Sequence, residues 1–447
     1  MSEMQLEQTN DVRPNQGPSE DDSDDQQDIM TENQFVLVCM ASGNAKLVQL
    51  KRDSNVQLGK FGQFQVNDVI GKLFELPMEI YNKNQVRPAT SKDLLEAFDV
   101  EADEGANNRE IYDDTNSQKL SKEEIEQLKE EGLKGNVSAQ DMIKKIIDSS
   151  STFDKKTEFS KTKYIKRKER KFSKIIQLRK PTIHGLCEFF FKEKPVKIRD
   201  IRVDTLAQLL AFTNVRAGSK MLVVDDTSGL IVSALLERIG GHGQLFGLHE
   251  YDNPNYDILR YMNFSERVRG CLKTLPWTRL EAGEDELTEG LPQVDTPRET
   301  WQQRNTRIEA KHAKYQGLRD TLNAGEFDGL VLASRHDTVL LLEKLGHLVA
   351  GSRPVAVYSP YKETLMEAFM FLRNSPDYIN AQLTESWLRE YQVPIQSGGT
   401  HPFMTTSGTG GFLLTATRII NNPNTHAVNA KNISETHERP AKKPRRL

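Results

Sequence analysis

The pattern of apolar and polar positions is most regular in one stretch, residues 218–250, GSKMLVVDDTSGLIVSALLERIGGHGQLFGLHE. An apolar run over 220–224 ends in Asp225 and Asp226. Gly229 marks a short turn, and 230–239 has helical spacing that Gly240 and Gly241 stop. A second apolar run then begins at Leu245. Strand, turn, helix, turn, strand is the opening of a doubly wound α/β sheet, whose first strand-to-helix turn usually receives a nucleotide-like cofactor. The alternation continues. Helices are predicted over 254–262, 302–323, 338–349 and 363–373, and strands over 268–275, 329–333 and 355–358. A closing antiparallel pair is predicted from 391–393 and 411–416.

Upstream the period changes. Runs at 35–40, 45–50 and 69–74, with Phe61, Phe64 and Val66 between glycines, read as short strands of a small barrel or sandwich. A short amphipathic helix is predicted over 137–147 with Ser138 as its cap, and Asp204 is expected to cap a helix through Leu206, Leu209, Leu210 and Phe212. The expected organisation is a disordered acidic tail (1–32), a β-barrel-like domain (33–98), an acidic insertion with a short helix (99–160), a basic segment (161–200), an α/β domain (201–420) and a basic tail (421–447).

Charge sharpens this picture. The net charge of −4 over 447 residues hides strong segregation. Residues 1–30 carry nine acids against Arg13, and 99–135 carry twelve acids against five bases. Residues 161–180 carry ten Lys or Arg against Glu169, with Tyr164, Ile165, Phe172, Ile175 and Ile176 interleaved. On a helix this gives an apolar stripe and a cationic face suited to phosphates; the alternatives are a solvated helix or an import signal. The candidate nucleic-acid contacts are Lys163, Lys166, Arg167, Lys168, Arg170, Lys171, Lys174, Arg179 and Lys180, with Arg335 at the end of a predicted strand. Lys442, Lys443, Arg445 and Arg446 read as a nuclear-localisation cluster or a second RNA contact. Three scattered cysteines give no disulfide framework or zinc pattern, and no apolar run reaches bilayer length, so a soluble protein of a reducing compartment is expected.

The first turn lacks cofactor chemistry. Several glycines are needed for a ligand to approach the backbone, yet Thr227, Ser228, Leu230 and Ile231 surround Gly229. Three motifs together, Tyr164–Glu169, Val224–Leu230 with Glu237-Arg238, and His401–Gly408 leading into Gly410-Gly411, give a resemblance over residues 35–420. The chain resembles the non-catalytic subunit of the eukaryotic tRNA (adenine-N1)-methyltransferase. The resemblance implies a class I methyltransferase-like (Rossmann-like) domain with a degenerate cofactor site. It implies a catalytic paralogue that holds S-adenosylmethionine and methylates N1 of a T-loop adenine, a heterotetramer with two copies of each chain, and a nuclear location. No catalytic, cofactor or metal residue is expected in this chain: His249 stands where the ribose-binding acid is expected, with Glu250 beside it. The fourth strand runs into Ala333-Ser334-Arg335-His336 instead of Asp-Leu-Pro-x-Pro-Trp. His401 is expected to pack or to line an interface. The alternatives are a divergent active methyltransferase and an RNA-independent scaffold.

Overall fold

The computed structural model describes residues 28–40, 43–81, 84–89, 139–149, 174–280, 301–392, 400–403 and 407–420, together with positions 124, 127, 153 and 161. They fall into two compact units, residues 1–181 with 391–403, and residues 182–390 with 404–447.

The first unit is built on a five-stranded antiparallel sheet. Its strands are β1 (Phe35–Met40), β2 (Ala45–Gln49), β5 (Pro77–Tyr81), β6 (Gln85–Pro88) and β7 (Ile175–Arg179), in the order β2-β1-β7-β5-β6. A small hairpin, β3 (Asn55–Gln57) with β4 (Gln63–Gln65), adds to it. The central strand, β7, comes from the end of the basic block, where a helix was expected. Ile176 and Leu178 alternate with Gln177 and Arg179, and the two apolar side chains enter a core with Val36, Val38, Phe64, Met78 and Ile80. Period-two burial on β7 itself, paired on both sides by β1 and β5, outweighs the helical reading of the isolated segment. The tail expected to be disordered through residue 32 ends earlier: Ile29 bridges to Leu73, and Met30 is fully buried. The strand expected over 69–74 is absent, because Gly71 and Glu75 take positive φ and the chain turns there. Helix α1 (Ala139–Asp148) occupies most of the predicted 137–147 span, while its expected cap, Ser138, lies outside the described residues.

The second unit opens with α2 (Ile183–Glu193), a helix the sequence reading treated as linker, and α3 (Val203–Phe212). Arg202, not Asp204, is the cap residue of α3; Asp204 lies in its first turn and pairs with Arg202 at 2.7 Å. Then follow β8 (Lys220–Asp225), α4 (Leu230–Ile239), β9 (Gln244–His249), α5 (Glu266–Gly270), β10 (Leu272–Pro276), α6 (Trp301–Asn323), β11 (Gly329–Ala333), α7 (Thr338–Leu345), β12 (Arg353–Ser359), α8 (Lys362–Asn374) and β13 (Tyr378–Glu385). The two-residue pair β14 (Tyr391–Gln392) and β15 (His401–Pro402) is counted with the first unit, and β16 (Phe412–Arg418) completes the second. The seven-stranded sheet runs β10-β9-β8-β11-β12-β16-β13, parallel through β12 and antiparallel at β16 and β13. This is a doubly wound sheet with a reversed hairpin at one edge, as expected. The closing partner differs: β16 pairs with 378–385, not with 391–393, which pairs instead with His401–Pro402. The predicted 268–275 strand is split, because Ser265 accepts from Val268 N at 3.4 Å and starts α5. The predicted 254–262 helix is a shorter 3-10 turn, Asp257–Met262. Helix α7 stops at Leu345 and a 3-10 turn, Gly346–Leu348, replaces its predicted end.

Leu222 and Val224 of β8 point into one core with Phe246, Leu330, Leu332 and Val357, which α6, α7 and α8 cover. Met221 and Val223 point the other way and are fully buried, and α4 packs on β8 and β9. Among the described residues no helix is long and apolar enough to cross a membrane.

Because Leu178 is fully buried in the middle strand of the first sheet, Leu178→Ala is expected to lower stability by about 2–5 kcal/mol in urea unfolding. Gln177→Ala on the other face of the same strand is expected to change it by less than about 1 kcal/mol.

Candidate functional site

In an open α/β sheet the ligand crevice lies at the carboxyl ends of the strands, beside the first strand. Here that place is β8, the turn 226–229 and the start of α4. A helix N-terminus presents four N–H groups without intrahelical partners, and a cofactor or anion often takes them. In this chain three of these four are taken internally, and the next amide, Ser233 N, makes the first intrahelical bond. Leu230 N reaches Thr227 O at 3.3 Å, Ile231 N reaches Thr227 Oγ1 at 3.3 Å, and Ser233 N donates to Gly229 O at 2.9 Å. Val232 N donates to Asp225 Oδ2 at 3.0 Å, while Asp225 Oδ1 accepts from Thr227 N at 2.6 Å and from the Thr227 hydroxyl. Asp225, the acid that matches a donor-site motif, therefore ties down its own turn. Burial pushes its carboxyl upward, opposed by those three hydrogen bonds.

The outer face of the turn is covered as well. Gly229 sits at φ +84°, and a Cβ there would lie 2.7 Å from Tyr256 Cα. Ile258 N donates to Ser228 O at 3.0 Å, and Ser228 Oγ donates to Lys197 O at 3.0 Å. The Tyr256 hydroxyl reaches the middle of the second strand, where a Cβ on Gly247 would be 2.7 Å away. Tyr256 thus spans from the first turn to β9 and is buried along its length; burial, with Asp225 and Asp226 nearby, raises its pKa. Gly229 and Gly247, the positions where a ligand would approach backbone, accommodate the chain's own tyrosine.

The strand ends carry little chemistry for a donor. His249 ends β9, is buried, and its Nδ1 lies 2.5 Å from Tyr251 O; burial lowers its pKa, which favours a neutral ring. Glu250 is exposed and faces His336 at 3.8 Å, and Trp277 meets His336 edge-on at 5.8 Å. Asp226 links the ends of β8 and β11: its N donates to Ala333 O at 3.0 Å, and its Oδ2 accepts from Ser334 Oγ at 2.9 Å and Arg335 N at 2.8 Å. Asp328, at the other end of β11, accepts from Lys220 N at 2.9 Å and pairs with Arg353 at 3.0 Å. Burial pushes the Cys187 thiol up to about 12, so it stays protonated at neutral pH. Among the described residues no group of three His, Cys, Asp or Glu is placed to hold a metal ion. The residues present do not fit S-adenosylmethionine: the turn is covered, three of its four donors are used, and the second strand ends in an imidazole.

Of the candidate tRNA contacts, Lys163, Lys166, Arg167, Lys168, Arg170 and Lys171 lie outside the described residues. Lys174 lies before β7, and Arg179 and Lys180 lie at its opposite end; Lys174 is half-buried, and burial lowers its pKa against the pull of Glu79. Arg179 Nε donates to Gln177 Oε1 at 2.8 Å. Arg335 is exposed in the second unit. Main-chain strand β15 includes His401. The sequence reading missed Tyr256 altogether. The signal available was the pair of glycines, Gly229 and Gly247, lying one strand apart with an aromatic residue shortly downstream.

Fold and site together define a doubly wound α/β chain with a reversed terminal hairpin, whose first strand-to-helix turn is held by its own side chains. Residues 29–305 match the Gcd10p family. The chain is 31% identical, over 84% of its length and 86% of the relative's, to the tRNA (adenine(58)-N(1))-methyltransferase non-catalytic subunit TRM6 of Mus musculus. It is 32% identical to the protein of the same name from Eremothecium gossypii, over 87% of this chain and 92% of the relative. The chain belongs to the Gcd10p family and, like these relatives, is a non-catalytic subunit. Among solved structures it is similar to the tRNA (m1A58) methyltransferase TrmI from Aquifex aeolicus, with 12% identity and a TM-score of 0.45 over 88% of this chain and 100% of that one.

Two measurements check this geometry. Gly229→Ala is expected to destabilise the chain by more than about 1 kcal/mol, because it combines a left-handed φ with a clash against Tyr256 backbone; thermal unfolding reads it. His249 is held neutral in the fold, so the unfolded chain binds its proton first as pH falls below 6.5. Stability is therefore expected to drop from pH 6.5 downward, and His249→Gln to flatten that slope in urea titrations at stepped pH.

Proposed function

We propose that this chain is the tRNA-binding, non-catalytic subunit of a tRNA (adenine-N1)-methyltransferase. A catalytic paralogue holds S-adenosylmethionine and methylates N1 of a T-loop adenine, in an assembly with two copies of each chain. This chain itself takes no cofactor. The observation that carries the reading is Tyr256 packed against Gly229 and Gly247, beside the turn where a methyl donor would be expected. The printed names of the relatives support the tRNA methyltransferase context.

The residues assigned to tRNA are Lys163, Lys166, Arg167, Lys168, Arg170, Lys171, Lys174, Arg179 and Lys180, with Arg335 in the α/β unit. Cations of this density act on phosphates, which position a nucleic acid without reading its sequence. Recognition then rests on the shape of the folded RNA. The basic cluster Lys442, Lys443, Arg445 and Arg446 is what supports a nuclear location in this reading.

The test uses the isolated chain and the assembly co-expressed with its catalytic partner. Titrating S-adenosylmethionine into the isolated chain by calorimetry is expected to give no binding heat; saturable heat would favour a divergent active enzyme. Changing Lys166, Arg167, Lys168 and Arg170 to Glu in the assembly is expected to weaken tRNA binding at least about tenfold. It should also lower the slope of log affinity against log salt by about 3. Unchanged tRNA affinity would leave a scaffold with no RNA contact through this block.

A further inference from the structure

Helix α6 is not accounted for by the fold. It is the 23-residue helix Trp301–Asn323, about 34 Å long, against a five-residue neighbour, β10, of about 17 Å. Only its last turns enter the core, through Leu318 and Leu322. Arg319 already reaches Arg279 O at 3.4 Å, and Arg279 lies over the Tyr315 ring at 5.8 Å. Both contacts are with a residue past the carboxyl end of β10. Residues 302–314 therefore run on for about 20 Å from the carboxyl-end side of the sheet, the side that holds the crevice. Of the described side chains on this arm all are exposed except His312, which is partly so.

The arm is basic on one face. Arg304, Arg307, Lys311 and Lys314 stand at spacings of three and four, opposed by Glu309 alone, and they continue the stripe that Leu318 and Leu322 bury. The face that packs on the sheet lower down thus becomes a cationic overhang. Lys311 Nζ lies over the Tyr315 ring at 5.7 Å, but the set of charges as a whole adds little to helix stability. Cations at the N-terminal end oppose the helix dipole, and like charges four apart, Arg307 and Lys311, repel. The described exposed side chains of the arm are charged, polar or small, a composition that suits a phosphate backbone better than the apolar centre of a protein interface.

We propose that residues 302–314 form a second phosphate-contacting surface, which lays Arg307, Lys311 and Lys314 along the sugar–phosphate backbone of a folded RNA held over the strand ends. This deepens the tRNA-binding reading and rests on it.

The test is tRNA binding by the co-expressed assembly at several salt concentrations. One variant carries Arg307→Glu, Lys311→Glu and Lys314→Glu. A milder variant carries Gln at the same positions and keeps helix propensity. A reference variant carries Lys166→Glu, Arg167→Glu, Lys168→Glu and Arg170→Glu. The arm variants are expected to weaken binding about tenfold or more and to lower the salt slope by about 2 to 3, with unchanged helix content by circular dichroism. Affinity and slope equal to the unchanged assembly, with loss confined to the reference variant, overturns the arm proposal and leaves the tRNA-binding reading standing. An assembly that dissociates on size exclusion when the arm is altered makes it a protein-docking element and also overturns the proposal. So does unchanged tRNA binding with greater protease cutting in the acidic stretch 281–299, which would make that stretch the arm's occupant. An unmodified assembly that binds no tRNA overturns both.

Discussion

The carboxylate of Asp225 decides much of the α/β unit. It is buried at the end of the first strand, and it faces inward to Thr227 and Val232 instead of outward to a ligand. A buried carboxylate needs several donors to remain acceptable in an apolar setting, and the start of α4 supplies them. With Leu230, Ile231 and Val232 N matched internally, the helix start has little demand left for an anion. The turn can then be covered by an apolar-bodied side chain, and Tyr256 covers it. The same interaction fixes the direction in which α4 leaves the sheet, and so the packing of Ile231, Leu235 and Leu236 beneath it.

Around this centre, the polar side chains at the strand ends bind the chain's own groups. Asp226 joins the ends of β8 and β11 through Ser334 and the main chain of Arg335. His249 is a buried imidazole bound to Tyr251. A sheet of this kind holds its architecture because the fold rests on the packed strands, not on the crevice. What it presents outward is charge: a basic strand end in the first unit and a basic helix in the second.

The central sheet was legible because Lys220–Asp225 and Leu230–Ile239 carry unmistakable periods and Gly240 closes the helix. The emptiness of the turn motif was legible too, since Leu230 and Ile231 stand where small residues would be needed. What the sequence concealed was long-range. Ile175–Arg179 has both the bases of a surface helix and the alternation of a strand, and only burial between β1 and β5 settles which period wins. Residues 378–385 hold few consecutive apolar positions, so their pairing with β16 left no local mark, whereas 391–393 resembled a strand but pairs elsewhere. Tyr256 closes the crevice from 27 residues beyond Gly229, and no spacing rule links the two. The helix over 183–193 was overlooked because its three consecutive phenylalanines mask the period that Leu186, Cys187 and Phe190 bury.

The placement of β7 has a consequence for how the chain is made. Its two neighbours, β1 and β5, belong to the first 81 residues, whereas β7 itself spans Ile175–Arg179. During synthesis, β1 and β5 therefore emerge well before the strand that separates them. Each has one side with unpaired amide and carbonyl groups throughout that interval. Contacts between segments so distant in the chain form slowly, because the long loop must close before pairing rewards it. A ribosome carrying this protein thus holds a half-sheet with two open edges until translation passes residue 179, and that interval is the one in which the nascent chain is most exposed to wrong partners.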